Sequence, residues 1–243
     1  MIMEMPKQIR KRFVVFLDIM GFKERVARNT QESLYKELTA FNRDIVNIIN
    51  STKSIKTEHT SKQNDSSDTT LRTSEDEKDE IFLAQFSDSI VIFSSSDTEK
   101  DLRIISNVAK QIMISAINRE KPIPLKGALA EGYITCDMAK QLFFGQALID
   151  AYLLEENVQY YGIVVHHSAE SSIIKLNSDM FRDSLIPLKS GNIKHYELIW
   201  YNDPLVDIKT GLAKVRLSVS DSPRKYVDNT KKIIDDYMND TKC

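Results

Sequence analysis

The feature that most constrains this chain is a short apolar run that ends on a carboxylate and is soon followed by a glycine. Residues 13–17 are all apolar, Asp18 follows them directly, and Gly21 stands just beyond. An unbroken apolar run of this length predicts a buried strand that carries Asp18 to the edge of a sheet. Gly21 permits a tight turn into the helical pattern that begins near Glu24. Backbone N–H groups at such a turn can bind phosphate, whereas the competing interpretation is that Asp18 caps the helix.

Length and composition favour a single domain with one core. The chain has 243 residues, of which 42% are hydrophobic, and a formal net charge of -2. The absence of a basic block argues against a nucleic-acid partner, because binding to a phosphate backbone needs a concentrated positive field. Two cysteines without a pairing pattern fit a reducing cytoplasm. Since no apolar run approaches the roughly 20 residues of a membrane span, we expect a cytoplasmic protein without a membrane partner.

A polar segment divides the chain after its first helix. Apolar residues recur at three and four positions over 31–50, which predicts an amphipathic helix. From 51 to 80 the composition is dominated by Ser, Thr, Lys, Asp and Glu, and Ile55 and Leu71 are the only aliphatic residues. Such a segment buries too little apolar surface to offset its ordering entropy. We therefore expect one domain, residues 1–243, with a disordered insertion at 51–80.

Alternating strands and helices predict the topology of the remaining chain. Strands are expected at 13–18, 81–86, 90–93, 125–134, 143–145, 163–165, 196–200 and 214–219, and further helices at 102–116, 147–154 and 226–238. This order predicts an α+β sandwich of the ferredoxin-like, split βαβ type. In that topology the first strand lies beside the turn of the hairpin at 81–93, which carries Asp88. Asp18 and Asp88 are then neighbours, and two carboxylates without a basic partner favour a divalent cation.

Several aromatic and histidine side chains have simpler interpretations. His166 and His167 are expected to end a strand, where neighbouring residues point to opposite faces, so they are not expected to share a ligand. The aromatic residues Trp200, Tyr160 and Tyr161 favour packing in the core or at a dimer interface over contact with a ligand.

Four motifs together resemble those of class III nucleotidyl cyclases. Residues 16–22, FLDIMGF, are similar to the first metal-binding motif of that family. The others are FSDSIV at 86–91, LKGALAEG at 125–132 and FGQALIDAYLLE at 144–155, which are similar to its second metal hairpin, its next strand and its glycine-started helix. They follow the family's order over about residues 12–166. The insertion at 51–80 accounts for the long separation between Asp18 and Asp88.

The resemblance implies a homodimer whose active sites lie at the subunit interface. In such a site two Mg2+ or Mn2+ ions bind a nucleoside triphosphate and assist attack of the ribose 3′-hydroxyl on the α-phosphorus, with release of pyrophosphate. By resemblance, Asp18 and Asp88 are the metal carboxylates, and the carbonyl of Ile19 is a further ligand. The backbone N–H groups that would face the phosphates belong to Met20, Gly21 and Phe22.

The departures from the family pattern concern the base and the transition state. Where purine cyclases read the base with a polar pair, commonly Lys and Asp, this chain has Ala84 and Leu142, with Phe82 on the same strand face as Ala84. None of these side chains hydrogen-bonds a base edge. The family's transition-state asparagine and arginine correspond to Ile149 and Leu153.

These departures favour another branch of the family. The motifs resemble those of the pyrimidine cyclases of bacterial Pycsar anti-phage systems, which make cyclic UMP or cyclic CMP on infection. The messenger there activates a separate effector protein that kills the cell or halts its growth. The resemblance thus implies UTP or CTP as substrate, and we favour UTP.

Two alternative functions remain open at this stage. One is a nucleotide-binding pseudo-cyclase or sensor without turnover, and the other is a purine cyclase with an unusual pocket. An active enzyme needs a cation in place of the missing arginine, for which the candidates are Lys126, Lys209, Lys214 and Arg216. Lys126 is the best placed, beside the glycines of its strand, although a solvated surface charge is the competing interpretation for each.

Overall fold

The computed structural model describes residues 9–60, 81–203 and 207–241. Its eight described strands form one sheet. In chain order they are β1 Ile9–Ile19, β2 Phe82–Phe86, β3 Ser89–Phe93, β4 Leu125–Asp137, β5 Leu142–Gly145, β6 Ile163–Val165, β7 Phe181–Leu188 and β8 Gly191–Leu198. The described helices are α1 Phe22–Arg28, α2 Gln31–Thr60, α3 Glu99–Ile117, α4 Gln146–Asn157, α5 His167–Leu176, α6 Ile208–Ser218 and α7 Arg224–Asp240.

The sheet confirms the predicted ferredoxin-like arrangement. Its strand order is β2-β3-β1-β4-β6-β8-β7, and β5 pairs with β4 outside this path. The first four positions form the antiparallel split βαβ core, in which β1 lies between β3 and β4. A parallel pairing of β4 with β6 then extends the sheet. The chain is therefore an α+β protein in which β1 occupies the centre of the motif-bearing half.

The two faces of β1 belong to two separate cores, as the alternation of a strand requires. Phe13, Val15 and Leu17 are buried in the larger core, which includes buried residues of α2, α3 and α6. Val14 and Phe16 point to the other face, where they pack with Ala147 and Ala151 of α4 and other residues. Asp18 continues this second series, so its carboxylate lies on the face that α4 covers.

The helix predicted at residues 31–50 runs further than the sequence predicts. Helix α2 continues to Thr60, past the predicted end at residue 50 and into the segment expected to be disordered. The rest of that predicted insertion, residues 61–80, lies outside the described residues.

The strand predicted at 214–219 is wrong, because these residues belong largely to α6. Val215, Leu217 and Val219 alternate with polar residues, which imitates a strand. The helix instead buries Ile208, Leu212 and Val215 at helical spacing. Asp207 caps its first turn by accepting a hydrogen bond from the Thr210 N–H at 3.0 Å.

The placement of the histidine pair on opposite faces of a strand is also wrong. His166 is the N-cap of α5, where its ring accepts a hydrogen bond from the Ser168 N–H, and His167 begins the helix. Their ring centroids are 4.0 Å apart, so they do not point to opposite faces of a strand. By contrast, Trp200, Tyr160 and Tyr161 are buried in the larger core, which confirms the packing prediction.

Candidate active site

Asp18 lies in a row of side chains that crosses the end of the central strands. In the sheet register it stands opposite Ser89 of β3 on one side and Lys126 of β4 on the other. Residues directly opposite in an antiparallel pair project to the same face of the sheet. The next position on β2 in this row is Phe86, which pairs with Ser89. Asp18 is thus flanked on one neighbouring strand by a hydroxyl and on the other by a cation.

Asp88 adjoins this row from the turn between β2 and β3. The turn places Ser87 in the left-handed region at φ 57°, and the Asp88 carbonyl accepts a hydrogen bond from the Ile19 N–H at 3.0 Å. The structure therefore brings the two predicted carboxylate residues together. Burial raises the pKa of Asp18, the negative charge of Asp88 raises it further, and Lys126 opposes both effects.

This electrostatic arrangement suits a cation. The charge of Asp88 raises the cost of ionising Asp18, and a divalent ion relieves this repulsion while taking the carboxylate oxygens as hard ligands. Within the described part of the chain, no three side chains of His, Cys, Asp or Glu converge to hold a metal ion by themselves. Asp18 and Asp88 are hence the residues that fit a cation whose remaining ligands come from the backbone and from a bound phosphate.

The turn after β1 offers fewer phosphate-facing N–H groups than expected. The Met20 N–H donates to the carbonyl of Pro124 at 2.9 Å, so it already has a partner within the protein. Gly21 adopts the left-handed conformation at φ 73°, as the glycine predicted. Phe22 begins α1 directly afterwards and packs against the larger core. The N–H groups of Gly21 and Phe22 are therefore the stronger candidates of the three.

Lys126 is buried, so the interpretation as a solvated surface charge fails for it. Its relative exposure is 7%, and its ammonium donates to the carbonyl of Glu155 at 3.0 Å. The ammonium also lies 2.8 Å from Oε1 of the same residue, an ion pair without hydrogen-bond alignment. Burial raises the pKa of Glu155 to about 7, and the contact with Lys126 opposes this rise.

The other candidate cations lie elsewhere. Lys209, Lys214 and Arg216 belong to α6, whose buried residues join the larger core on the face opposite to Asp18. Arg216 forms an ion pair with Asp228 of α7.

An apolar cavity of about 550 Å³ adjoins the row of Asp18 on the same face. The sheet supplies one wall and α4 supplies the other. The Tyr152 ring of α4 meets Phe16 of β1 edge to face at 5.5 Å. The lining residues are Phe16, Ala84, Gln85, Phe86, Ser89, Val91, Phe93, Gln141, Phe143, Leu148, Ile149 and Tyr152. A volume of this size is typical of small-molecule sites.

The predicted base-contacting residues are placed unequally around this cavity. Ala84 lines it, as does Ile149 at the position of the family's asparagine. Phe82 instead packs against the smaller core with the Arg12 guanidinium 5.1 Å from its ring, and it does not line the cavity. Leu142 lies on β5 and is 49% exposed, outside the lining. Of the predicted pocket residues Ala84, Phe82 and Leu142, only Ala84 reaches the cavity.

Sequence reasoning missed two residues of this region, Glu155 and Tyr152. The buried residues of α4 are Ala147, Ala151 and Glu155, spaced by four, so the last position of an apolar stripe is an acid. An acid at such a position needs a cationic partner, so that pattern could have indicated that Glu155 is paired, although it does not say with which cation.

Comparison with known proteins supports the architecture. No protein-family model matches this sequence, and no curated protein matches it. Among solved structures, the catalytic core of a rhodopsin-guanylyl cyclase with converted specificity, in complex with ATPαS, is similar with a TM-score of 0.53 and 15% identity, over 78% of this chain and 95% of that one. The guanylate cyclase domain of a protein from Catenaria anguillulae, in complex with GTP, has a TM-score of 0.51 and 13% identity, over 78% and 96%.

These similarities cover 78% of this chain and nearly the whole of each of the two cyclase chains. The chain therefore has the α+β fold of the class III nucleotidyl cyclase catalytic domain.

Proposed function

We propose that this protein is a metal-dependent nucleotidyl cyclase that converts a pyrimidine nucleoside triphosphate into its 3′,5′-cyclic monophosphate and pyrophosphate. The observation that carries the proposal is the juxtaposition of Asp18 and Asp88 at the end of the central strand pair of a cyclase fold. Solved structures of the same fold contain GTP or ATPαS.

The residues of the site would hold two Mg2+ or Mn2+ ions and the triphosphate in the positions that the reaction needs. Asp18 and Asp88 would hold the ions through carboxylate oxygens, and the carbonyl of Ile19 would add a ligand from the end of β1. When bound, the cations favour ionisation of the ribose 3′-hydroxyl and neutralise charge on the phosphates during in-line displacement. The N–H groups of Gly21 and Phe22 orient the phosphate oxygens. Lys126, beside Asp18, is the cation that replaces the family's arginine.

The cavity supports a preference for pyrimidines. Its lining is mostly aromatic and aliphatic, and Ala84 stands where purine cyclases place a polar base contact. A one-ring base needs less room and fewer edge contacts than a two-ring base, and shape exclusion can contribute a few kcal/mol of discrimination. Separating uracil from cytosine needs a directed donor or acceptor rather than volume. We favour UTP over CTP, with Ser89, Gln85 and Gln141 as the polar residues in the lining.

The resemblance of the motifs to those of Pycsar cyclases also supports a role for this protein in anti-phage defence. In the Pycsar systems that they resemble, the cyclic pyrimidine nucleotide is a second messenger for a separate effector protein. We propose the same role here, with a homodimer as the active form.

The test is incubation of the purified protein with ATP, GTP, UTP and CTP at equal concentrations, with Mn2+, followed by chromatography of the products. Cyclic UMP as the main product is the expected result, and a mixture with cyclic CMP would contradict only the preference for UTP. A dominant cyclic AMP or cyclic GMP product would identify a purine cyclase with an unusual pocket. Binding without any cyclic product would identify a pseudo-cyclase or sensor.

A further inference from the structure

Lys126 and Glu155 form a buried ion pair, and Lys126 lies opposite the candidate metal ligand Asp18 in the sheet. The relative exposures of the two residues are 7% and 3%. Lys126 extends from β4, whereas Glu155 lies near the end of α4, where its carbonyl also accepts a hydrogen bond from the Val158 N–H at 3.0 Å. The ammonium therefore joins the sheet to the C-terminal turn of α4, where cations also interact favourably with the helix dipole.

The ammonium pairs with one acid, and a second acid stands opposite Lys126 in the sheet. This second acid is Asp18, and residues opposite each other in an antiparallel pair project to the same face of the sheet. A buried lysine needs a carboxylate partner, because an uncompensated buried charge is costly. The ion pair with Glu155 thus determines which acid the ammonium contacts.

We propose that Glu155 is a positioning residue of the metal site, which holds the Lys126 ammonium away from Asp18 and so keeps the Asp18 carboxylate available to a divalent cation. The inference rests on the proposed function, because it assumes that Asp18 binds metal. It assigns Glu155 no contact with the substrate.

When Glu155 loses its charge, the Lys126 ammonium and the divalent cation compete for the Asp18 carboxylate. In Glu155→Gln the ammonium keeps its burial but loses its carboxylate, and Asp18 is the nearest acid in the register. An ammonium paired with Asp18 must be displaced before a cation binds there. Because the ammonium must be displaced from the carboxylate before the cation binds, we expect the affinity for the cation to fall roughly tenfold.

The experiment is a Mn2+ titration without nucleotide, at about pH 8 so that Glu155 is ionised, followed by the electron paramagnetic resonance signal of free Mn2+. Glu155→Gln is expected to raise the Kd for Mn2+ roughly tenfold. The double variant Glu155→Gln with Lys126→Met should restore the wild-type Kd, because the competing ammonium is gone. Glu156→Gln is the matched control, since it removes the same charge from the neighbouring, exposed position of α4 and should leave the Kd unchanged.

A structural role alone predicts a different pattern. If Glu155 only stabilised α4, the second substitution would not restore Mn2+ binding, and that result would overturn the proposal. An unchanged Kd in Glu155→Gln would also overturn it, while leaving the proposed function intact. The double variant keeps the test available if Glu155→Gln alone does not fold, because it buries no unpaired charge. If the wild-type protein bound no Mn2+ that Asp18→Ala removes, the inference would be overturned, whereas the proposed function, in which a bound phosphate supplies further metal ligands, is tested separately by the product assay with the four triphosphates.

Discussion

At the scale of single residues, the position of Asp18 is unfavourable for the stability of the folded protein. Its carboxylate is partly buried beside Asp88, and both features raise its pKa. A position selected only for stability would avoid a second acid there, because like charges at short range are unfavourable. Such conflicts between local rules and the observed residue are expected where a site serves a ligand. The arrangement therefore argues for a cation-binding role more strongly than either carboxylate alone.

The first prediction separates activity from stability at these carboxylates. Asp18→Asn and Asp88→Asn should each lower cyclase turnover by a factor on the order of 1000 or more, because several kcal/mol of transition-state stabilisation depend on the metal. Their free energies of unfolding without metal should be equal to or higher than the wild-type value, because the repulsion is relieved. Turnover with Mn2+ and urea unfolding measure the two effects.

The control for this pair is Asp183→Asn, which changes an exposed acid of β7 that pairs with Lys194. It should leave turnover unchanged. Mn2+-dependent turnover at the wild-type rate in either Asp18→Asn or Asp88→Asn would sink the metal assignment.

A second acid with an unusual environment is Glu197, which lies on β8, away from the β2-β3 hairpin. Its side chain is fully buried and accepts hydrogen bonds from Ser184 at 2.7 Å, Tyr201 at 3.0 Å and Tyr160 at 3.2 Å. Arg182 donates to it at 3.1 Å and also to the carbonyl of Ile233 on α7 at 3.3 Å. This group of side chains joins β7 and β8 to the last helix.

Glu197 should make stability depend on pH. Burial raises its pKa in the folded state, so the folded protein retains its proton to higher pH than the unfolded chain. The stability associated with that proton is fully present below the ordinary Glu pKa of about 4.3 and is lost as the pH rises through the folded value.

The free energy of unfolding of the wild type relative to Glu197→Gln should therefore fall with rising pH, by about 1.4 kcal/mol for each unit of pKa shift. Urea unfolding of both proteins at a series of pH values measures this difference. Curves that remain parallel over the whole series would contradict the assignment.

At the scale of elements, α4 decides what the candidate site can accept. Its N-cap is Gly145, whose φ of 155° and close approach to the Tyr133 carbonyl leave no room for a side chain. In its last turn Glu155 contacts Lys126. Between these fixed ends it presents Leu148, Ile149 and Tyr152 to the cavity. The helix is thus anchored at both ends against β4, and the cavity has one well-defined wall.

A substitution on the opposite wall tests whether this cavity receives the base. Ala84→Leu adds volume to the cavity from β2, so it should raise the KM for the preferred triphosphate by roughly tenfold with a smaller effect on kcat. Leu142→Ala is the matched control, because Leu142 is half exposed outside the lining. Steady-state kinetics with varied triphosphate measures both. Equal effects from the two substitutions would show that the base lies elsewhere.

The elements differ in how far the sequence could predict them. The strand at 13–18 and the hairpin at 81–93 were predictable because their apolar runs are short, unbroken and bounded by turn residues. The helix α6 was not, because Val215, Leu217 and Val219 satisfy the strand period while Ile208 and Leu212 satisfy the helix period. Packing of Ile208, Leu212 and Val215 in the larger core decides between them. Pattern alone does not contain that information.

The same reasoning explains the outcome at the candidate site. The neighbouring positions of Asp18 and Asp88 follow from topology, which the order of elements predicts. The partner of Lys126 and the orientation of Phe82 depend on side-chain contacts between segments far apart in the chain, as in the pairing with Glu155 across β4 and α4. Those contacts required the structure.

At the scale of the whole molecule, the face that carries the candidate site is incompletely covered. Three side chains of the cavity lining are exposed, Phe86 by 85%, Ile149 by 50% and Tyr152 by 43%, and so is Leu153, one turn after Ile149 on α4, by 51%. We call these four residues the rim patch. Grouped apolar exposure of this kind is typical of surfaces that bind another protein. The rim patch adjoins both the cavity and the row of Asp18, which supports the proposed homodimer with active sites at its interface.

Disruption of the rim patch should therefore separate the subunits and remove activity together. Leu153→Asp places a charge on the exposed face of α4, where it would be desolvated without a partner in an interface, so the variant should be monomeric while its free energy of unfolding changes little. Leu217→Asp is the matched control, because Leu217 is 88% exposed on α6, whose buried residues belong to the other core. It should remain dimeric and active.

Sedimentation velocity measures the assembly, and turnover at a series of protein concentrations measures the activity. A Leu153→Asp protein that stayed dimeric with full turnover would exclude this face as the dimer interface. If the specific activity of the wild-type protein did not fall on dilution to the monomer, one subunit would contain a complete site.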